Sequence, residues 1–563
     1  MKGFGSRVLA QSLAFALLAA LACTGSGPGT APATATSTAS GAPSDAPPLL
    51  ELGAHSFPIS SKVARARSYF DQGLANTYGF NHAKAIRDFA YAAKLDPQCA
   101  ICSWGVALAH GPNINVPMDT ENAKAAWGAL QEAQARAANA NALERDLIDA
   151  LAKRYAADAP ADRAALDRAY ADAMIALREK HPDNVDVAVL AAEAIMDLMP
   201  WNYWDEKLAP RELTPKVVEY LEFAMQRSPD HVGALHYWIH LQELPAPEKA
   251  EAAADRLLPL APDAGHLVHM PSHIYYRVGR FQDAVLSNVR GAKSDESLFA
   301  LCFPNNYPIY SALYYPHNVH FLTVSAAAQG DSAMALAEAR RLAMVSEDKV
   351  AIFPPVEDFL TYPLLMMVRF GKWDAVLAEP APPEGRIYQG GIWRFARGMA
   401  FARQGKHAEA AAELEALRAI AADPKAAALS ANGGTTNTAV LLSVAADQLD
   451  GELAAAKGDT VDAIAALEAA VERQDGIRYT EPPPWFMPTR QALGAVLLQA
   501  GRAAEAEAVY REDLKHYPKN GWSLYGLAQA LSSQGKRDEA AWAEQGFAQA
   551  WKHADVKLAA SRF

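Results

Sequence analysis

Apolar and polar positions follow a helical period along most of the chain, and small residues interrupt this pattern at regular distances. Gly73, Ala85, Phe89, Ala92 and Pro97 succeed one another at spacings of 12, 4, 3 and 5 residues. Small side chains let two helices approach closely, and a proline cannot continue the helix that precedes it. The pattern therefore predicts a pair of antiparallel helices.

The same template returns elsewhere. One copy consists of Trp238, Ala250, Ala254, Leu257 and Pro262, and another of Gly494, Gly501, Ala506, Tyr510 and Pro518. Shorter Gly–x4–Ala copies occur at Gly279/Ala284, Gly330/Ala335, Gly405/Ala410 and Gly458/Ala463, with a weaker one at Gly371/Val376. The spacing of 34 residues between Trp238 and Ser272 suits tandem stacking. This pattern resembles the tetratricopeptide repeat (TPR).

The resemblance implies an all-α fold, a right-handed α-solenoid of TPR-like helix pairs over residues 51–563. We expect roughly eight to ten pairs, each stabilised by its neighbours and together forming a concave surface. Residues 119–230 are helical by pattern but too irregular to divide into repeats. A TPR array is typically a scaffold that binds a peptide or another protein.

The amino-terminal segment reads as an export signal. Residues 1–22 carry Lys2 and Arg7 and then an apolar run too short for a retained membrane helix. The sequence Ala20-Leu21-Ala22-Cys23 resembles a bacterial lipobox, in which Cys23 would be lipidated. The same residues also fit ordinary signal cleavage, which would release a soluble periplasmic protein. Residues 23–50, rich in Gly, Ser, Thr, Pro and Ala, are predicted to form a flexible tether.

Net charge, cysteine content and missing motifs exclude several classes of function. The net charge of −12 argues against nucleic acid as a partner. Four cysteines are too few for a disulfide framework, and no phosphate-binding loop, nucleophile elbow or dinucleotide fingerprint occurs. We therefore expect an envelope protein or peptide in the concave groove, and a membrane contact through a lipid anchor at Cys23.

Histidines cluster in the middle of the chain. Eight of the fifteen lie in the ninety residues from 231 to 320: His231, His236, His240, His266, His269, His273, His317 and His320. In TPR proteins, positions 2, 5, 9, 12 and 13 of the first helix line the groove. Counted from the turn glycines, these positions hold His266, His269, His273, Tyr276 and Arg277 in one repeat and His317 and His320 in the next. Glu243 occupies position 13 of the preceding repeat, after the i, i+4 pair His236 and His240.

Histidines three or four residues apart on a helix can share one ion, and neutral imidazole suits zinc, copper and iron. The sequence thus predicts a transition-metal site for one ion or two. Its candidate ligands are His236, His240, His266, His269, His273, His317 and His320. Glu243, Tyr276 and Arg277 are candidate catalytic groups for proton transfer or charge stabilisation. A polar pocket for an anionic or sugar-like ligand, or structural coincidence, would also explain the cluster.

Pro271 complicates this geometry because proline disrupts a helix interior. We expect a helix to begin near Met270, with His266 and His269 on the loop that enters it.

Three other features deserve a prediction. Cys99 and Cys102 form a CxxC without a following His, for which core packing or a redox pair is possible. The aromatic insert near 292–316, with unpaired Cys302, either covers the groove as a lid or packs the edge of the solenoid. Trp201 to Trp204 and Trp485 belong either to the groove or to the core between repeats.

The strings FNHAKAIRDF, CSWGVALAHGPNIN, HYWIH, HMPSHIYYRVGR and HNVHF occur in this order. They resemble a group of bacterial exported TPR proteins, a resemblance that brings no activity with it. The sequence therefore favours an outer-membrane-anchored TPR lipoprotein with a metal site, acting as a redox or hydrolytic enzyme. A non-enzymatic scaffold for envelope assembly and a solute-binding module are the alternatives.

Overall fold

A computed structural model of the chain describes residues 46–160, 162–301, 309–351, 353–431 and 435–563. Contacts divide the chain into two units, 1–46 and 47–563. The signal peptide, Cys23 and most of the tether lie outside the described residues, as does Cys302. In the described part, no helix combines the length and the apolar character needed to cross a bilayer.

The unit 47–563 is built almost entirely of helices. Its first half contains α1 (Ala64–Tyr78), α2 (His82–Leu95), α3 (Ala100–Ala109), α4 (Thr120–Ala135), α5 (Ala142–Leu151), α6 (Ala164–Lys180), α7 (Val185–Met196), α8 (Thr214–Arg227), α9 (Val232–Gln242), α10 (Glu251–Leu257), α11 (Gly265–His269), α12 (Pro271–Arg277) and α13 (Phe281–Ala300). A π-helical turn, Tyr310–Tyr314, precedes the second half.

The second half contains α14 (Tyr315–Ala328), α15 (Ser332–Ser346), α16 (Tyr362–Arg369), α17 (Trp373–Ala378), α18 (Ile387–Arg403), α19 (His407–Ala421), α20 (Pro424–Ala428), α21 (Thr438–Lys457), α22 (Thr460–Asp475), α23 (Thr489–Gln499), α24 (Ala503–His516), α25 (Gly521–Ser533) and α26 (Arg537–Ala550). Short 3-10 helices occur at Ala137–Asn139, Pro247–Ala250, Glu347–Lys349 and Pro354–Thr361. Two antiparallel strands, β1 (Ser430–Ala431) and β2 (Thr436–Asn437), pair with Ser430 opposite Asn437.

Helices that follow one another along the chain pack against one another, which confirms the all-α solenoid of TPR-like helix pairs. The predicted turn glycines adopt positive φ angles, for example +75° at Gly279 and +79° at Gly330. A side chain would be strained in this conformation. Gly73 lies inside α1, where a methyl group would come within 2.7 Å of the ring of Phe89 on α2. Small residues thus set the close approach within a pair.

The carboxyl-terminal helices contact the turns of the central repeats. The Arg277 guanidinium donates to the main-chain oxygen of His516 at 3.3 Å. The amide of Asp555 donates to the oxygen of Gly330 at 3.2 Å, and Gly371 lies against Phe563. These contacts join segments that are far apart in sequence and fix the central repeats from one side.

The amino-terminal boundary differs from the prediction. The hydroxyl of Tyr69 donates to the oxygen of Pro47, and the amide of Gln72 donates to the oxygen of Leu50, both at 2.8 Å. Residues 47–50 therefore belong to the helical unit and not to the tether, because α1 satisfies their main-chain oxygens.

Candidate metal centre

Four helices of the central repeats carry the histidines predicted as ligands. His236 and His240 lie on α9, His266 and His269 on α11, His273 on α12, and His317 and His320 on α14. His317 is half-buried, and the others are almost completely buried. The helices bring together side chains as far apart in sequence as His236 and His317, which are separated by 81 residues.

The expectation that His266 and His269 lie on a loop is wrong. Residues Gly265–His269 are helical, and Met270 continues with helical angles of φ −52° and ψ −37° into α12. Pro271 occupies the first turn of α12, where its missing N–H removes no hydrogen bond that a helix needs. Both histidines are therefore held by regular helical backbone.

The imidazoles form two groups of three. His236, His240 and His266 make the first triad, and His269, His273 and His317 make the second. Within each triad, one nitrogen of each ring lies within 4.8 Å of the others. The triads adjoin, since the rings of His240 and His273 and those of His266 and His269 are each 5.8 Å apart. The arrangement offers two three-histidine sites side by side.

His320 lies outside both triads. Its Nε2 bonds the hydroxyl of Tyr362 on α16, and its ring packs against Phe359 at 5.1 Å. The structure therefore separates this candidate ligand from the other six. It acts instead as a polar contact within the core between repeats.

Three of the six histidines are held through Nδ1 by fixed acceptors. His236 Nδ1 contacts the main-chain oxygen of Tyr78 at 2.6 Å, and His273 Nδ1 contacts Glu243 Oε2 at 2.7 Å. His269 Nδ1 contacts Asn288 Oδ1 at 2.6 Å. The Asn288 amide nitrogen donates to Ala284, which leaves Oδ1 as the acceptor. Each Nδ1 thus carries the proton, and each Nε2 presents a lone pair, as in metal-ligating histidines.

The nitrogens that face inward have few partners. His236 Nε2 and both nitrogens of His240 and His266 are buried without a hydrogen bond among the described residues. The Nε2 atoms of His269 and His273 face each other at 3.0 Å. Two lone pairs at this distance repel unless a proton or a cation lies between them. Leaving such groups unpaired costs about 1–3 kcal/mol each, and a bound cation would remove this cost.

The electrostatics of the cluster favour neutral imidazoles. Burial, reinforced by the neighbouring rings, holds the pKa of His236, His266, His269 and His317 well below the usual value. Burial alone would raise the pKa of Glu243, but His273 and His240 lower it to about 2. Neutral imidazole is the form that binds a metal ion, and a carboxylate behind it increases its basicity.

A cavity of about 330 Å³ opens beside the triads. Its lining includes ligand candidates from both triads, His240 and His266 from the first and His273 and His317 from the second. The cavity is also lined by four aromatic residues and one acidic residue: Trp201, Tyr314, Phe359, Tyr479 and Glu481. An ion in either triad would therefore have an accessible side.

The three predicted catalytic groups occupy different places. Glu243 lies directly behind His273, as described above. Tyr276 packs its ring against Phe281 and Phe321, and it does not line the 330 Å³ cavity. The Arg277 Nε donates to the main-chain oxygen of Glu243 at 3.1 Å. Arg277 thus holds the end of α9 and does not reach into the cavity.

Several residues around the triads were missed from the sequence. Phe80 packs its ring against all three histidines of the first triad, at 4.6 Å from His236, and has a positive φ of 57°. Non-glycine residues in this conformation often mark functional sites. Trp201 shares both features, with φ 57° and its ring 5.1 Å from His240.

A third group of potential ligands consists of His55, Asp186 and His231. Asp186 Oδ1 lies 2.6 Å from His55 Nε2 and 3.3 Å from His231 Nε2. Of these, the histidine cluster in the sequence included only His231. No spacing rule connects His55 with Asp186, since they belong to unrelated segments.

The structure tests part of the predictions on the cysteines and the aromatic insert. Cys99 and Cys102 form a buried disulfide, so a covalent link accompanies their packing in the core. Tyr314 of the insert contacts the His266 ring at 4.9 Å, and Tyr310 Oη accepts from the His266 amide at 3.1 Å. These two residues of the insert therefore border the first triad. The part of the insert at 302–308 lies outside the described residues.

Comparison with known families identifies one repeat directly. The family described as tetratricopeptide repeat matches residues 497–541, which include the predicted turn at Gly501. This segment is therefore similar to a TPR. The sequence has no match among curated proteins.

Three solved structures align with most of this chain at low similarity. The yeast Tom70 is 11% identical, with 84% of this chain and 89% of that chain covered and a TM-score of 0.26. The human IFIT1 dimer with m7Gppp-AAAA is 10% identical, with 87% and 91% covered and a TM-score of 0.30. The P58(IPK) TPR domain is 12% identical, with 84% and 100% covered and a TM-score of 0.22. These values give no information about function.

Proposed function

We propose that the protein is a TPR-fold metalloprotein that binds two transition-metal ions, one in each histidine triad. The observation that carries this proposal is the convergence of six imidazoles from four helices into two groups of three. Three of their Nδ1 atoms are already bonded to acceptors, so their Nε2 lone pairs point toward the ions. A core without a ligand would give buried nitrogens hydrogen-bond partners, yet His236 Nε2 and both nitrogens of His240 and His266 have none among the described residues.

The ligand set favours copper, zinc or iron because neutral imidazole suits these metals. Three protein ligands leave a coordination position open, which is typical of catalytic and not of structural zinc sites. We infer an enzymatic role in which the metal acts as a redox centre or as a Lewis acid. The identity of the bound metal decides between them, because zinc supports only the second.

Metal analysis of untagged protein tests the proposal. We expect about two ions per chain, as in two-metal sites. His236→Gln and His269→Gln each remove one ion, and the double variant removes both. His553→Gln, an exposed histidine, and His320→Gln, a buried one outside the triads, keep both. Circular dichroism confirms that each variant is folded. Folded wild-type protein without bound metal under metal-replete expression would contradict the proposal.

A protein-interaction scaffold is the second candidate, and the TPR match at 497–541 favours it. Its helices also expose large apolar side chains, with Val461 81% and Trp542 60% exposed. If this is the function, a photo-crosslinker placed at residue 542 captures one defined envelope protein from intact cells. The same crosslinker at exposed Met344 then captures none.

We further propose that the chain is exported and anchored through a lipid on Cys23. The support is the lipobox-like sequence that ends at this residue. Mass spectrometry of the mature amino terminus tests the proposal. Acylated Cys23 is expected, with loss of membrane association in Cys23→Ala. An unmodified amino terminus in the soluble periplasmic fraction would favour simple secretion.

A further inference from the structure

The cavity beside the triads combines open metal positions with aromatic walls. Its volume of about 330 Å³ lies at the lower end of the range for small-molecule sites. Four of the six proposed ligands border it, so a bound molecule would meet both metal positions. This inference rests on the proposed metal centre.

Flat rings form the walls next to the histidines. Trp201 stands edge-on to His240, with ring centroids 5.1 Å apart and an interplanar angle of 86°. Tyr314 meets His266 in the same way at 4.9 Å and 73°. Aromatic faces bind planar aromatic molecules by stacking and edge contacts, beyond the effect of area alone.

The conformation of Trp201 is fixed by its neighbours. Its indole N–H donates to Asn115 Oδ1 at 3.0 Å, and its main-chain oxygen accepts from Arg478 at 3.0 Å. These bonds hold the residue at φ 57°, which costs energy. The Trp201 ring is thus held in place beside His240.

The lining of the cavity includes one carboxyl group, that of Glu481. Glu481 is 5% exposed, and its Oε2 has no hydrogen-bond partner among the described residues. Burial raises the pKa of Glu481 to about 8, although Arg277 opposes this shift. Glu481 Oε1 lies 3.8 Å from Arg277 Nε, so the unpartnered Oε2 is the atom available to accept a hydrogen bond from a hydroxyl group of a bound molecule.

The cationic side chains nearby are already engaged. Arg478 is exposed and donates to Trp201, and Arg277 donates to the end of α9. Both guanidinium groups keep their charge, and Arg478 lines the cavity beside the aromatic rings. The lining therefore suits a planar ring that carries oxygen atoms.

We propose that this cavity binds a small planar aromatic compound with adjacent hydroxyl groups, a catechol. Its oxygens are directed to the metal ions, and its ring contacts Trp201 and Tyr479. Glu481 hydrogen-bonds one oxygen and serves as a positioning residue. This role could not be predicted from the sequence, because Glu481 lies at the start of a proline-rich segment.

Binding of 4-nitrocatechol to the metal-loaded protein tests the proposal, because metal chelation shifts its visible absorption. Azide provides a second probe that binds an open metal position without needing aromatic walls. Trp201→Leu and Tyr479→Leu should each weaken 4-nitrocatechol binding about three- to tenfold and leave azide binding unchanged. Trp201→Phe should restore most of the affinity. Trp542→Leu, an exposed control, should change neither.

Each outcome decides the question. Saturable 4-nitrocatechol binding that depends on the two rings supports the proposal. Azide binding without 4-nitrocatechol binding, or equal affinity in the leucine variants, overturns the aromatic pocket and leaves the metal centre intact. A folded protein that holds no metal overturns both.

Discussion

The central and the carboxyl-terminal repeats share one helix-pair template but bury different side chains: clustered imidazoles in the first, and closely packed apolar and aromatic groups in the second. In the carboxyl-terminal repeats, Gly494 on α23 and Gly526 on α25 both lie against the hydroxyl end of the Tyr510 ring, which is fully buried. In the central repeats, the corresponding inner faces carry imidazoles whose nitrogens lack partners. One region is packed for stability, and the other retains polar groups that only a ligand would satisfy.

This difference shows that the repeat sets the backbone and leaves the inner face free to vary. A hydrogen-bonded backbone and a few small residues are enough to stack the pairs. Stability gained in one part of the array can therefore compensate for polar burial in another. The predictions below alter one region and measure whether the other responds.

The largest effect is expected from overpacking the carboxyl-terminal repeats. A side chain at Gly526 would overlap the ring of Tyr510. Gly526→Val should lower the free energy of unfolding by about 2–3 kcal/mol. Denaturant unfolding measures this loss, and metal analysis should show unchanged binding in the folded fraction.

Gly128→Ala is the matched control, since Gly128 is also helical but has open space around it. It should be neutral or stabilise by up to about 1 kcal/mol. An equal loss of stability in both variants would contradict the packing argument.

The next effect concerns the carboxylate behind the second triad. Glu243→Gln keeps an oxygen for His273 Nδ1 but removes the charge. Affinity for one of the two ions should fall about 10- to 100-fold. A chelator competition titration measures each ion, with exposed Glu248→Gln as control. Undiminished affinity for both ions would place Glu243 outside the metal centre.

The repeats could be predicted from the sequence because the residues that define each helix pair lie close together in the chain. Gly279 and Gly330 were identified by the small residue five positions later, and their positive φ angles agree. The pair His236/His240 could be recognised because residues four apart share a helix face.

Long-range features were not predictable in this way. The main-chain oxygen of Tyr78 accepts a hydrogen bond from His236 Nδ1. A main-chain contact of this kind cannot be predicted from residue types. His320 was assigned to the groove by counting from Gly330. His317 and His320 lie on the same helix, but His317 joins the second triad, whereas His320 faces Tyr362 on the neighbouring helix.

The smallest effect is expected at this buried histidine. Tyr362→Phe removes the partner of His320 Nε2 and should cost about 1 kcal/mol of unfolding free energy. Metal content should remain that of the wild type. Loss of an ion in this variant would contradict the account, because it would indicate that His320 takes part in metal binding.

Anomalous diffraction from crystals of the untagged protein, collected at the absorption edge of the metal it contains, tests the central claim most directly. The account predicts two peaks, one in each triad, each with three imidazole nitrogens at about 2.0–2.1 Å. A folded chain with no anomalous peak between α9, α11, α12 and α14, despite metal-replete growth, would contradict it.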